Sequence, residues 1–526
     1  MVFCRVINGN LSGSMNNHDL NRRDVLTLAG ASTVAAMTST SAASAQTKPS
    51  DIVMMDGREL SQAIGSKRVS CAEVMTAYLD HIERLNPKVN AIVSMRDRAD
   101  LMNEARLHDA QLARGEHLGW MHGFPHAVKD LVAAKGLRET HGSPIFKDFI
   151  ATTDAIHVER MKRAGAIIIG KTNAPEFGLG SQTYNNVFGT TLNPYDLSKT
   201  PGGSSGGACV SLALRMLPVA DGTDSGGSLR NPAAYCNVFG FRSSFGRVPA
   251  EAADEFYANP SVAGPLTRTI SDLGILLSIQ SGYDPRVPLS NRQDPGVFAG
   301  SLKRDFKGVR IAWPGDFGGY LPFEPGVLEL CKAALKDFES VGCVVEEGKP
   351  DYPLDKLWDA WVKLRASQNS ANLKRLYADP SKRKLMKPEA QYEVETAMKL
   401  SAFELGDAAA VRTAWYQTVR RFQERYAFIL LPSAQVFPFD AKTHWPTEIN
   451  GRKMPTYHRW MEVCSIVSMS GCPSLNVPVG FNPAGLPMGM QIVGRNQDEL
   501  GSLQLAYAYD QATGWVQKHP PALLRA

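Results

Sequence analysis

Apolar residues recur along this chain at two spacings. Val74, Met75, Tyr78, Leu79, Ile82 and Leu85 lie three or four apart, which places them on one face of a helix. Ser70 and Glu73 stand before that stripe as a capping box, in which each side chain takes up a free N–H of the first turn. Asn86-Pro87 is the predicted stop, giving a helix over 70–85. Similar spacing predicts helices over Arg58–Ser66, Arg98–Ala113, Ile156–Ala164, Val327–Ser340 and Asp498–Thr513. Between them lie short apolar runs of the kind that strands covered on both faces carry: Ala91–Ser94, Ala166–Ile169, Leu217–Ala220, Val309–Trp313, Cys343–Val345, Phe428–Pro432, Pro478–Phe481 and Met490–Val493. Pro125–Lys129 reads as the end of a further strand. Strands alternating with helices predict an α/β fold, with a central mixed, largely parallel β-sheet covered by helices on both faces.

Residues 354–426 break the alternation. They are helical in pattern and rich in Lys, Arg, Ala and Glu, with Trp358, Trp361 and Trp415 interspersed. This stretch reads as a helical cap or insertion within a single domain over 46–526, either solvated or facing a substrate. At the N-terminus, Arg22-Arg23 precedes a mildly apolar, Ala/Thr/Ser-rich segment, and Ala43-Ser44-Ala45 offers a small-x-small cleavage site. Residues 1–45 read as a twin-arginine signal peptide, which predicts export to the periplasm or the outside. The apolar segment is too short and too polar for a stable transmembrane helix, and no later segment has the length for one.

Composition adds limits. Of 526 residues, 44% are hydrophobic and 21% charged, which is ordinary for a globular chain with a large core. The net charge of +5 is small for this length, and no dense basic run interleaves with aromatics. Nucleic acid is therefore not an expected partner. The eight cysteines include no C-x-x-C pair, so buried free thiols are expected in place of a zinc site or a disulfide framework. No metal and no cofactor are expected.

The chemistry gathers between Thr200 and Pro232. Gly202-Gly203-Ser204-Ser205-Gly206-Gly207 and Asp224-Ser225-Gly226-Gly227-Ser228 flank a mostly apolar segment. Glycine lets backbone N–H groups converge on one point and accept an anion. A serine beside such a turn combines a nucleophile with donors aimed at a developing oxyanion, as acyl transfer requires. Ser228 is the candidate nucleophile, and the N–H groups of Ser225, Gly226, Gly227 and Ser228 the candidate oxyanion hole. Each such donor is typically worth about 2.7–4 kcal/mol in the transition state.

These residues resemble the amidase signature family of serine amide hydrolases. The family pattern Gly-Gly-Ser-Ser-Gly-Gly, then Asp-x-Gly-Gly-Ser-x-Arg, is matched by Ser204, Ser228 and Arg230, and Gly-x-Pro-x-x-x-Lys-Asp by Gly123 to Asp130. Pro473–Pro478 and Gly485–Gln491 are similar to the family's C-terminal strands. The resemblance runs from about residue 58 to the C-terminus. It departs at Phe241-Arg242-Ser243-Ser244, where Leu-Lys-Pro-Thr is usual, and at Asp221, where a small apolar residue is common. It implies an amidase-signature fold and a catalytic triad of Ser228, Ser204 and Lys129. In that triad a cis Gly203–Ser204 peptide positions Ser204 as proton relay, and Lys129, stripped of its proton by burial, is the base. Ser205, Asp224 and Arg230 are supporting candidates. The implied reaction cleaves the C–N bond of a linear small-molecule amide, and a homodimer is the assembly the resemblance suggests.

Other readings are weaker. Gly202 to Gly206 fits the nucleophile elbow G-x-S-x-G, but no apolar strand precedes it. GAIIIGKT at Gly165–Thr172 matches the phosphate-loop pattern, yet its middle is a buried strand. Ser381–Lys384 matches S-x-x-K in a basic run without companion motifs. Within the family, an amidotransferase A-type subunit shares all three motifs, and an exported solute-binding or inactive member is the reading outside catalysis. The substrate pocket is expected around Gln182–Phe188, the cap, and the 430–460 loops with Phe437, Phe439, His444 and Trp445.

Overall fold

The backbone is organised by two sheets that meet at one edge. The structure, a computed structural model, describes residues 49–252, 254–256 and 260–525, which belong to one compact unit, Gln46–Ala526. The signal-peptide reading of residues 1–45 lies outside the described residues.

The smaller sheet has three strands. Ile167–Thr172 is central, pairing in parallel with Pro125–Lys129 and antiparallel with Ile92–Val93. All six residues of Ile167–Thr172 are buried, which accounts for the unbroken apolar run and removes the phosphate-loop reading. Lys171 within that match donates to the carbonyl of Val132. The larger sheet has eight strands, in the order Val344–Glu347, Arg310–Trp313, Phe428–Pro432, Pro487–Val493, Ser474–Phe481, Phe239–Arg242, Val262–Thr267 and Ala220–Asp224.

The sheet is mixed and flanked by helices, as the pattern predicts, but it is not largely parallel. Val344–Glu347 and Phe428–Pro432 pair in parallel with Arg310–Trp313, and every other neighbouring pair in that sheet is antiparallel. The short turn at Asn482–Leu486 is one cause. A parallel connection needs a crossover of a dozen residues or more, so strands joined by a tight turn close as a hairpin.

Helix ends follow local chemistry. Cys71–Val89 starts with the predicted capping box: Glu73 N–H donates to Ser70 Oγ at 3.1 Å, and Ser70 N–H to Glu73 Oε2 at 2.8 Å. The predicted stop at Asn86-Pro87 is too early. Pro87 sits inside the last turn on the exposed side, and the helix ends at Asn90, which adopts a left-handed conformation. The missing N–H of proline costs one bond, to a carbonyl on a face where water can replace it. The strand expected at Leu217–Ala220 runs instead over Ala220–Asp224.

Residues 354–425 form the helices Leu354–Ala378, Pro380–Arg383, Pro388–Ala397 and Ala402–Arg425. This region is joined to the body: Trp361 and Trp415 are buried in the core around the larger sheet, and Trp415 Nε1 donates to the Ile466 carbonyl at 2.8 Å.

The short helix Gly206–Ala213 is buried on all sides. A Cβ on Gly207 would lie 2.4 Å from Asn173 N and 2.5 Å from the Ala91 carbonyl oxygen, so only glycine lets this helix start against the small sheet. Gly207→Ala is therefore expected to lose about 1–3 kcal/mol of stability, read as a lower urea midpoint. An unchanged midpoint would contradict this packing.

Candidate active site

Where the edge strand Ala220–Asp224 lies beside Pro125–Lys129, three segments converge. Lys129 ends its strand with its side chain fully buried. Its Nζ donates to Ser204 Oγ at 2.7 Å, Ser205 Oγ at 2.8 Å and Thr223 Oγ1 at 2.9 Å. Ser204 and Ser205 stand just before the helix Gly206–Ala213, and the Gly203–Ser204 peptide is cis. Burial pushes the Lys129 ammonium down to about 7, against the opposing carboxylates of Asp221 and Asp224. A buried ammonium loses hydration that hydroxyls replace only in part, so the neutral amine gains.

Ser228 lies in the turn between Ala220–Asp224 and the helix Arg230–Tyr235, with 8% of its surface exposed. Ser205 N–H donates to the Ser228 carbonyl at 3.2 Å, which ties the two serine clusters together. Gly227 holds φ at +123°, and a Cβ there would lie 2.8 Å from Cys464 Cβ. Trp361 from the long helix of the 354–425 region backs the same turn, 3.0 Å from where a Gly226 Cβ would stand.

Asp224 holds the turn from below. It accepts Gly227 N–H at 2.9 Å and Leu229 N–H at 3.0 Å, and Arg230 grips both its oxygens at 2.9 and 3.0 Å. Arg242 adds a contact at 3.1 Å to Oδ1 and one at 2.5 Å to the Asp224 carbonyl. Burial would raise the Asp224 carboxyl, but the guanidiniums of Arg230 and Arg242 hold it well below the usual carboxylate range.

This arrangement changes one expectation. The Gly227 N–H is already spent on Asp224, because the carboxylate lies where an Asx-type turn needs its acceptor. Among the described residues, the N–H groups of Ser225, Gly226 and Ser228 make no internal hydrogen bond. They are the donors left for an oxyanion.

A cavity of about 460 Å³ opens onto Ser204, Ser225 and Ser228. Phe146 and Phe177 line one side, and Gln368, Asn369 and Asn372 of the helix Leu354–Ala378 line another. The expected pocket residues Gln182–Phe188, Phe437, Phe439, His444 and Trp445 do not line it. They are used in packing: Tyr184 stacks on His444 at 4.6 Å, and Phe439 meets Trp460 edge-on. Among the described residues, no cluster of His, Cys, Asp or Glu could hold a metal ion, and the seven cysteines are buried free thiols.

Sequence reasoning passed over Thr223, the third hydroxyl on Lys129. Arg242 shows in the sequence only as a departure from the family pattern; the fold sets it two strands along the sheet from Asp224 and makes it a second cation on that carboxylate. Phe146, Phe177 and the Gln/Asn face of the cap helix carry no motif by which they could be found.

Fold and site together define a class: mixed-sheet α/β hydrolases whose glycine-bounded serines converge on a buried lysine. A sequence model of the Amidase family matches residues 73–502. The acylamidase of Rhodococcus erythropolis is 31% identical over 470 residues, covering 89% of this chain and 97% of that protein. The A-type subunit of the glutamyl-tRNA(Gln) amidotransferase of Alkaliphilus metalliredigens is 32% identical over 485 residues, covering 86% of this chain and 95% of that one. Among solved structures, a bacterial aryl acylamidase of the amidase signature family superposes with a TM-score of 0.84 at 28% identity, over 90% of this chain and 99% of its own. The chain belongs to the amidase signature family.

The clamp under the turn has a measurable consequence. Asp224→Ala leaves two guanidiniums buried without a carboxylate, which is expected to cost about 3–5 kcal/mol and to lower the thermal unfolding midpoint sharply. A near-wild-type midpoint would contradict the clamp.

Proposed function

We propose that this protein is a serine amidase that hydrolyses the carboxamide C–N bond of small linear amides, aryl amides among them. The observation that carries the reading is the fully buried Lys129 amine within 2.7–2.8 Å of two serine hydroxyls, its proton affinity lowered to about 7.

In this reading the neutral amine accepts the Ser204 proton while Ser204 Oγ takes the proton of Ser228, whose oxygen attacks the carbonyl carbon. Negative charge builds on the carbonyl oxygen and is met by the Ser225, Gly226 and Ser228 N–H groups, which are fixed before the reaction and need no reorganisation. The tetrahedral adduct collapses, the C–N bond breaks, and the leaving nitrogen takes the proton back through Ser204 from Lys129. Water then attacks the acyl-serine by the same relay and releases the acid. Asp224, Arg230 and Ser205 act by holding the turn and the lysine in place. The substrate class is supported by the aromatic wall of Phe146 and Phe177 and by likeness to proteins named acylamidase and aryl acylamidase.

The likeness to the A-type amidotransferase chain favours a second reading, in which glutamine is the amide that is cleaved. The proposed export by the twin-arginine route, on Arg22-Arg23 and Ala43-Ser44-Ala45, argues against it, since charged tRNA is cytoplasmic.

A panel of aryl and aliphatic amides, with glutamine included, separates these. The mature chain is expected to release amine from the panel, with Ser228→Ala and Lys129→Ala each slowed by at least about a thousandfold. Equal rates in all three proteins would overturn the proposal. The wild-type kcat/KM is expected to rise about tenfold per pH unit below about pH 7 and to level off above it, because only the neutral lysine is a base. A profile flat from pH 5 to 9 would contradict lysine as the base.

A further inference from the structure

Beside the proposed relay lies a buried charged group that the relay does not use. His126 Nε2 meets Asp221 Oδ1 at 3.1 Å, and His157 Nε2 stands 3.5 Å from Asp221 Oδ2. The three side chains are 0%, 0% and 3% exposed, in the order His126, Asp221, His157. Their placement links them to Lys129. His126 comes from the strand Pro125–Lys129, which Lys129 ends. Asp221 comes from the strand that supplies Thr223, two residues on and so on the same face. Among the described residues, His126 Nε2 makes the one hydrogen bond to the Asp221 carboxylate, while both Nδ1 atoms, His157 Nε2 and Asp221 Oδ2 find no hydrogen-bond partner, so His157 meets the carboxylate only as a longer polar contact.

A buried carboxylate stays ionised only where donors replace its water. Burial would raise the Asp221 carboxyl, but His126 and His157 hold it well below the usual range. A full negative charge therefore sits in the interior on the face that Lys129 reaches. Asp224 is the other carboxylate in the Lys129 field, but its charge is met by Arg230 and Arg242. Among the described residues, no arginine or lysine makes an ion pair with Asp221.

We propose that Asp221, held by His126 and His157, is a positioning residue that sets how tightly Lys129 holds a proton. Its charge favours the protonated amine and so makes the neutral amine a stronger base. The proposal rests on the acyl-transfer reading. Other charged and titratable groups face the pair. Lys129 also lies in the field of Asp224 from the edge strand and of Cys209 from the helix Gly206–Ala213. Asp221 also lies in the field of Lys171 from the strand Ile167–Thr172, an amine shared with Asp130, Glu139 and Asp154.

The test is the rate at which a serine-directed fluorophosphonate labels Ser228 in the full chain, measured against pH and located by mass spectrometry. In Asp221→Asn the acid limb is expected to move to lower pH by about one unit, with a lower plateau above it. Asp221→Glu, which keeps the charge, is expected to restore most of the wild-type midpoint. If Asp221→Asn does not fold, Asp221→Ser leaves room for a water between the rings and carries the same expectation. A uniform loss of rate with the midpoint unmoved would mean that Asp221 is structural only, and would overturn the inference while leaving Ser228 as nucleophile. Absence of label on Ser228 in the wild type would overturn the acyl-transfer reading and this inference with it.

Discussion

The desolvation of one amine governs this site. Lys129 is buried in full and meets hydroxyls on three sides. Keeping an ammonium there is expensive, so the group sheds its proton near neutrality, and in the proposed reaction a residue that is ordinarily a cation serves as the base. The rest of the local structure serves that constraint. The small sheet delivers Lys129, the segment before the helix Gly206–Ala213 delivers Ser204 and Ser205, and the edge strand of the large sheet delivers Thr223 and the turn with Ser228. Close backbone approaches, such as the one at Gly207, are what let these segments come so near to one another.

A second buried assembly fixes the turn. Asp224 is shared by Arg230 and Arg242, and it accepts two backbone N–H groups of the turn that carries Ser228. Arg230 extends the hold to Gln491, Ser468 and the Cys464 carbonyl. The turn Ser225–Leu229 is thereby pinned by charge-assisted bonds to the strand behind it. The carboxylate orders the turn and uses up the Gly227 N–H in doing so, which leaves the donors on either side of it for an incoming oxygen.

Much of this was legible in the sequence, and the parts that were not share a reason. Ser204 and Ser228 sit in glycine-rich motifs, Lys129 is named through the resemblance of Gly123–Asp130 to a family pattern, and Ser70 and Glu73 name their own helix start. Periodicity located Arg98–Ala113, Val327–Ser340 and Phe428–Pro432 at their observed bounds. It could not tell strand direction, because pairing depends on connections across the whole chain, so the antiparallel hairpin of Ser474–Phe481 with Pro487–Val493 escaped it. Pocket residues such as Phe146, Phe177 and Asn369 lie far apart in sequence and follow no pattern of spacing. Aromatic residues near 437–445 drew attention as pocket candidates, but a buried aromatic is as useful to a core as to a ligand, and Phe437 and Phe439 serve the core. Arg242 and Asp221 were visible as departures from a pattern, and only the fold gives each its buried partner.

The central claim is that acyl transfer passes through Ser228. Rapid quenching of the enzyme with an activated aryl amide, followed by peptide mass spectrometry, tests it most directly. The account predicts a burst of released arylamine and an acyl group on the peptide that carries Ser228, absent in Ser228→Ala. Steady release of amine with no acyl group on that peptide, or an acyl group carried on another residue, would contradict it.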